Sequence, residues 1–266
     1  MGRTDRPEES AVTYCVGMLP ESGLVMIADT RTNAGVDNIS TYRKLHILAE
    51  DEERIIAVCT AGNLSITQAM LSMLAEGLPA EEEGEPPRTL AEVPTMFRAA
   101  QLVSEASIEA HRAAAPALDG SGIDPSTSLL LGGRIGAGPL ELFLIYSQGN
   151  FIQCRPDTPF LQIGHTMYGK PILDRALDYH TPLEETVKVG LISFDGTMRS
   201  NLAVGRPLDL VVIPADRGQP VIKRRIGEDD AYFNELSRRW SELLNQSRVA
   251  IPDPPFMPSG DQRPER

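Results

Sequence analysis

TYCVGMLPESGLVMIADTRT, residues 13–32, reads as two β-strands joined by a turn. TYCVGML and LVMIADTRT are rich in β-branched and bulky apolar residues, and PESG between them is a turn-forming tetrapeptide. Tyr14, Val16 and Met18 point to one face of the first strand, and Cys15 and Leu19 to the other. Both faces are apolar, as in a sheet that is covered on both sides.

The pattern recurs along the chain. KLHILAE (44–50) and RIIAVCTAG (54–62) form a second strand pair around the acidic DEE. Two helical stretches follow, NLSITQAMLSMLAEGL (63–78) and TLAEVPTMFRAAQLVSEASIEAHRAA (89–114), separated by the charged and proline-bearing AEEEGEPPR. A second β region runs through STSLLLGGRI, LELFLIYSQGNFIQC and PFLQIG. Helices are expected around GKPILDRALDY and LEETVKVGLISFD, strands at LDLVVIPA and VIKRRIG, and a closing helix at DDAYFNELSRRWSELLNQ. In that last helix Tyr232, Leu236, Trp240 and Leu243 form a stripe behind a cap at Asp229 or Asp230. Strands covered on both sides and alternating with groups of helices pack most economically as two face-to-face sheets with helices outside. The expected class is therefore α+β, a four-layer αββα sandwich. Residues 1–12 read as an N-terminal extension, 13–250 as the folded domain and 251–266 as a disordered tail.

Composition narrows the function. Of 266 residues, 41% are hydrophobic and 23% charged, as in soluble globular proteins. No apolar run approaches the roughly 18 residues of a membrane span, and the opening MGRTDRPEES has no signal-peptide core. A cytoplasmic protein is expected. The net charge of −12 argues against partners such as nucleic acid or an anionic membrane. Cys15, Cys59 and Cys154 lie far apart in apolar runs, so they read as buried reduced thiols. The four histidines lack metal-ligand spacing, and no metal or other cofactor is expected.

Two glycine-rich stretches imitate nucleotide sites. Gly164, Gly169 and Lys170 have the GxxxxGK spacing, but Pro171 stands where a hydroxyl should hold magnesium. It also removes an N–H donor, so the stretch reads as a strand-to-helix turn. GGRIGAG (132–138) reads as a hairpin loop.

The first hairpin carries more chemistry. A turn centred on Glu21 and Ser22 sets Thr13 opposite Thr30 and beside Asp29. The second hairpin sets Lys44 opposite Cys59, near the loop TAGN. If the hairpins adjoin, one sheet end gathers Thr13, Asp29, Arg31, Lys44 and the backbone around Gly62. Singly, Asp29 would be a turn cap and Lys44 a solvated strand-edge lysine. Together with a threonine they suit amide hydrolysis. An N-terminal threonine supplies Oγ as nucleophile and its own α-amine, of pKa about 7.7–8.0, as general base. A nearby lysine favours the neutral amine, an aspartate positions that lysine, and a glycine N–H can donate to the oxyanion.

The run TYCVGMLPESGLVMIADTRTNAGVDNISTYRKLH (13–46) resembles the opening of the bacterial proteasome-related family Anbu, the ancestral β-subunit group. The likeness continues through TMYGKPILDR, LISFDGTMRSN and the closing RRW helix. It implies the N-terminal-nucleophile hydrolase fold, with Thr13 as nucleophile, Asp29 and Lys44 as charge partners, Arg31 as support and Gly62 as oxyanion glycine. Ser200 matches the serine that such enzymes keep near the threonine amine, and Asp195 is a nearby acid at a shifted spacing. Gly164-His165-Thr166 stands where the family's relatives carry a serine-bearing turn. The resemblance also implies a homo-oligomer, as rings or open helical turns, acting on peptide or unfolded-protein substrate.

Thr13 is preceded by Val12 rather than the glycine usual before a self-cleaved threonine, and a β-branched residue suits that turn poorly. Initiation at residue 12 from a GTG codon would instead yield Met-Thr, and methionine removal would expose Thr13. A chain keeping residues 1–12 would have its amine acylated. The expected function is a threonine peptidase. The alternatives are a catalytically silent self-assembling subunit or a small-molecule amidase of the same class.

Overall fold

The computed structural model describes residues 13–33, 39–80, 82 and 84–256; the expected extension 1–12 and most of the tail lie outside them. The described residues fall into two compact units, one ending at Glu228 and one starting at Asp229. The first is built on antiparallel sheets. Strands β1 (Tyr14–Met18) and β2 (Gly23–Asp29) form the expected hairpin, closed by the Gly23 N–H donating to the Pro20 carbonyl. Cys15 lies opposite Ala28, and extending that register sets Thr13 level with Thr30.

The second expected strand does not run on to Thr32. The Asp29 carboxylate accepts the Arg31 N–H at 3.1 Å, an Asx turn that takes Arg31 out of the ladder. The Thr30 hydroxyl donates to the Pro207 carbonyl at 2.7 Å. The chain leaves the sheet there as β3 (Arg31–Asn33), which pairs with β4 (Ile39–Thr41) in a separate two-stranded arm.

Next come β5 (Leu45–Glu50) and β6 (Arg54–Gly62), with Leu45 opposite Cys59. Lys44 is therefore level with Thr60, whose N–H donates to its carbonyl at 2.9 Å, one place beyond the expected Cys59. The turn sits later than the DEE reading puts it, because Asp51 Oδ1 accepts from both the Glu53 and Arg54 N–H groups. A bulge between Ile47 and Ala49 takes back part of the difference.

Helix α1 (Leu64–Glu76) starts at Asn63, whose side chain accepts from the Ser65 and Ile66 N–H groups. Helix α2 (Met96–Leu118) starts seven residues later than the periodicity suggests. Pro94 biases its predecessor away from helix, and Thr95 then caps the Arg98 N–H. Strands β7 (Thr127–Ile135), β8 (Glu141–Tyr146) and β9 (Phe151–Gln153) complete a sheet ordered β5-β6-β7-β8-β9. After β10 (Phe160–Gly164) come helices α3 (Lys170–Ala176) and α4 (Leu183–Ser200), then β11 (Leu208–Pro214) and β12 (Ile222–Ile226). The other sheet is ordered β10-β1-β2-β11-β12, so β1 is flanked on both sides.

Strand alternation sorts the core. Ile56, Val58, Leu129, Leu131, Phe143 and Ile145 pack with α1 and α2. Their neighbours Ala57, Cys59, Leu130, Leu142 and Leu144 pack with Cys15, Leu24, Met26 and Ala28 of the opposite sheet. Each large side chain buried this way contributes about 1.5–3 kcal/mol. On the other face of β1, the Tyr14 ring lies 4.5 Å from that of Phe194 in α4. Cys15, Cys59 and Cys154 are buried and free.

The second unit contains α5 (Ala231–Ala250), capped by Asp230 through the Phe233 N–H. Its buried residue is Phe233, with Leu236 and Trp240 half-buried, whereas Tyr232 and Leu243 of the expected stripe are exposed. No helix among the described residues is long and apolar enough to cross a membrane.

Candidate active site

Thr13 leads into β1, an inner strand of its sheet, and is held from both sides. Its carbonyl accepts the His165 N–H at 2.7 Å from the end of β10. The next amide, Tyr14 N–H, donates to Asp29 Oδ1 at 3.1 Å. Thr13 is 4% exposed. The fit requires glycine at 164: its φ is +80°, and a β-carbon there would lie 2.0 Å from the Thr13 carbonyl oxygen. Gly164 and His165 thus position Thr13, a role that their phosphate-loop spacing conceals. Lys170, the lysine of that spacing, pairs with Asp174 at 2.8 Å instead.

Asp29 is fully buried and accepts three hydrogen bonds. Oδ1 takes the Tyr14 N–H and the Lys44 ammonium, the latter at 2.9 Å, and Oδ2 takes the Arg31 N–H. Burial holds its carboxyl above the ordinary carboxylate value, against the opposing pull of Lys44 and the backbone donors. Lys44 is itself buried and also donates to the Arg31 carbonyl at 2.6 Å. The amide following Thr13 and the Lys44 ammonium therefore share one carboxylate oxygen.

Arg31 reaches away from this pair. Its Nη1 donates to the Leu202 carbonyl at 2.9 Å, and its Nη2 lies 3.9 Å from Glu228. It ties the arm that follows Asp29 to the loop after α4. Ser200 is the last residue of α4 and is exposed, two positions before Leu202. Asp195 is buried on the same helix and accepts from Arg199 Nε at 3.0 Å.

Gly62 ends β6, the strand beside Lys44. The Cys15 thiol donates to the Thr60 carbonyl at 3.9 Å, which ties this end of β6 to β1. Gly62 adopts φ +100°, and a β-carbon there would lie 2.2 Å from the Ser126 carbonyl oxygen. Asn63 follows as the cap of α1. The structure thus joins Asp29, Lys44 and Arg31 directly to one another and to the amide after Thr13. It brings Gly62 in through β6, and the Ser200 segment through Arg31.

Tyr14 is a further positioning residue that its apolar strand context hides. Its hydroxyl lies 3.1 Å from Ser193 Oγ and accepts from Gln162 Nε2 at 2.6 Å. Burial pushes its pKa up to about 12. This residue fastens the strand that presents Thr13 to both α4 and β10.

No family model matches the chain, and neither does any curated protein. Solved structures are similar to it along most of its length. "Anbu (ancestral beta-subunit) from Yersinia bercovieri" is 43% identical, with a TM-score of 0.82, over 92% of this chain and 100% of that one. The "Helical Assembly of the Anbu Complex from Pseudomonas aeruginosa" is 45% identical, with a TM-score of 0.84, over 92% and 99%. Anbu from Hyphomicrobium sp. strain MC1 is 43% identical, with a TM-score of 0.80, over 91% and 99%.

Proposed function

The chain belongs to the Anbu (ancestral beta-subunit) family, and from that premise we propose that it is a proteasome-like threonine peptidase. Thr13 Oγ attacks the peptide carbonyl while the free α-amine of Thr13 takes the hydroxyl proton. The tetrahedral oxyanion accepts the Gly62 N–H. Collapse leaves an ester on Thr13 and returns the proton to the departing amine, and water then hydrolyses the ester. Lys44 keeps the amine neutral by its positive field. Asp29 positions Lys44, Arg31 braces the turn, and Ser200 serves the amine. The observation that carries this reading is the single oxygen of Asp29 shared by Lys44 and the amide after Thr13.

The same reading takes the protein as a four-layer αββα sandwich, residues 13–250 being the hydrolase domain. The two cores on opposite faces of one sheet support the layering. It takes the working form as a homo-oligomer, a ring or an open helix, in keeping with the helical assembly of the Pseudomonas aeruginosa relative. Three buried free thiols suit a reducing cytoplasm.

The test is a chain that begins at Thr13, verified by intact mass, assayed on fluorogenic peptides. Hydrolysis is expected, and Thr13→Ala should lower it about 10³-fold or more. A Thr13-initiated, assembled protein that cleaves no peptide would be a silent assembly subunit. Preference for a small acyl amide over every peptide would make it an amidase.

A further inference from the structure

Beyond the far end of β1 from Thr13, about 20 Å along the strand, Leu19 and Pro20 line a cavity of about 380 Å³. That volume is in the range of small-molecule sites. Three arginines from separate parts of the chain line it: Arg134 near the end of β7, Arg155 after β9, and Arg217 between β11 and β12.

Two of them are held in place by carbonyls. Arg134 Nη1 donates to Pro214 at 2.9 Å and Ala215 at 3.4 Å, and Arg217 Nη2 donates to Gly138 at 3.0 Å. None of the three guanidiniums forms an ion pair among the described residues. Burial first, and the neighbouring Arg217 second, hold the Arg134 guanidinium below its ordinary value, with Asp216 opposing them.

The carboxylates in the wall are engaged by partners other than these arginines. Glu21 pairs with His180 at the surface, 3.1 Å away. Glu141 accepts from Gln153 Nε2 at 2.7 Å, and burial raises its carboxyl above the ordinary value. Two arginines oriented by carbonyls, with a third in the same wall and none of them in an ion pair, are the arrangement that a planar or tetrahedral oxyanion completes. Leu140 and Tyr179 provide apolar wall beside them.

We propose that this cavity is a binding site for a carboxylate or phosphate group carried on a small apolar body. It is separate from the candidate active site, and its occupancy does not need the Thr13 hydroxyl.

Calorimetric titration of the full chain with phenyl phosphate and with benzoate, at low ionic strength, tests it. Saturable binding of at least one probe is expected, and which one binds identifies the anion. Arg155→Gln and Arg217→Gln change exposed side chains, and each should weaken binding at least tenfold with an unaltered circular dichroism spectrum. Thr13→Ala should bind as the parent does. Absence of saturable binding by both probes, affinity unchanged in both arginine variants, or binding lost in Thr13→Ala would each overturn the proposal.

Discussion

Asp29 answers to three donors at once, and its chemistry sets two expectations. Removing Lys44 leaves a buried carboxylate without its cation, so Lys44→Ala should cost about 3 kcal/mol near neutral pH, read from denaturant unfolding. The pH dependence follows from the raised carboxyl of Asp29. Above the ordinary value of about 3.9 the folded chain holds that proton more firmly than the unfolded chain. The stability of the parent relative to Asp29→Asn should thus be greatest below that value and fall as the pH rises through the elevated folded pKa. A relative stability that rises over this window would show that the ion pair outweighs burial. The two hairpins stand in different sheets, not side by side in one as the sequence suggests; the residue types, threonine, aspartate and lysine at this spacing, were legible in advance. The sharing of one Asp29 oxygen was not, because it depends on where the Asx turn sends the Arg31 amide.

At the scale of elements, β1 is the part under tension from several partners, since β10, β2 and α4 all hold it. Gly164→Ala would put a β-carbon against the Thr13 carbonyl at a positive φ. It should destabilise the fold by about 2–3 kcal/mol and lower peptidase activity of the Thr13-initiated protein further than the remaining folded fraction explains. Tyr14→Phe removes the acceptor of Gln162 and the partner of Ser193. A loss of about 1–2 kcal/mol is expected, visible in the unfolding midpoint. Most elements were readable in the chain because their periodicities are unambiguous and their punctuation is strong. PESG, Asn63 and Asp230 all stand at the boundaries that they mark. Boundaries failed where a local contact outweighed propensity. Thr30 and Asp29 end β2 early, the turn held by Asp51 leaves Lys44 shifted by one partner, and Pro94 delays α2.

For the whole molecule, the expected behaviour is self-association. Light scattering on the eluting protein should give a mass several times that of one chain, and a monomer at micromolar concentration would contradict the homo-oligomer. Charge supports the same scale of reasoning: a net −12 protein should show no salt-dependent affinity for DNA. The sequence by itself determined the order and type of most elements, the β3–β4 arm excepted, the sheets apolar on both faces, the threonine-centred residue set and the family resemblance. These depend on short-range patterning and on residue chemistry, which a linear chain displays. Only the tertiary structure decided that β10 lies against β1, so that Gly164 and His165 seat Thr13 while their spacing suggests a phosphate loop. It alone brought Arg134, Arg155 and Arg217 to one cavity. The physical reason is the same in both cases: strands distant in sequence pair through backbone hydrogen bonds, which carry no side-chain signature. Which loops meet at a sheet's end is therefore settled by the packing of the two sheets.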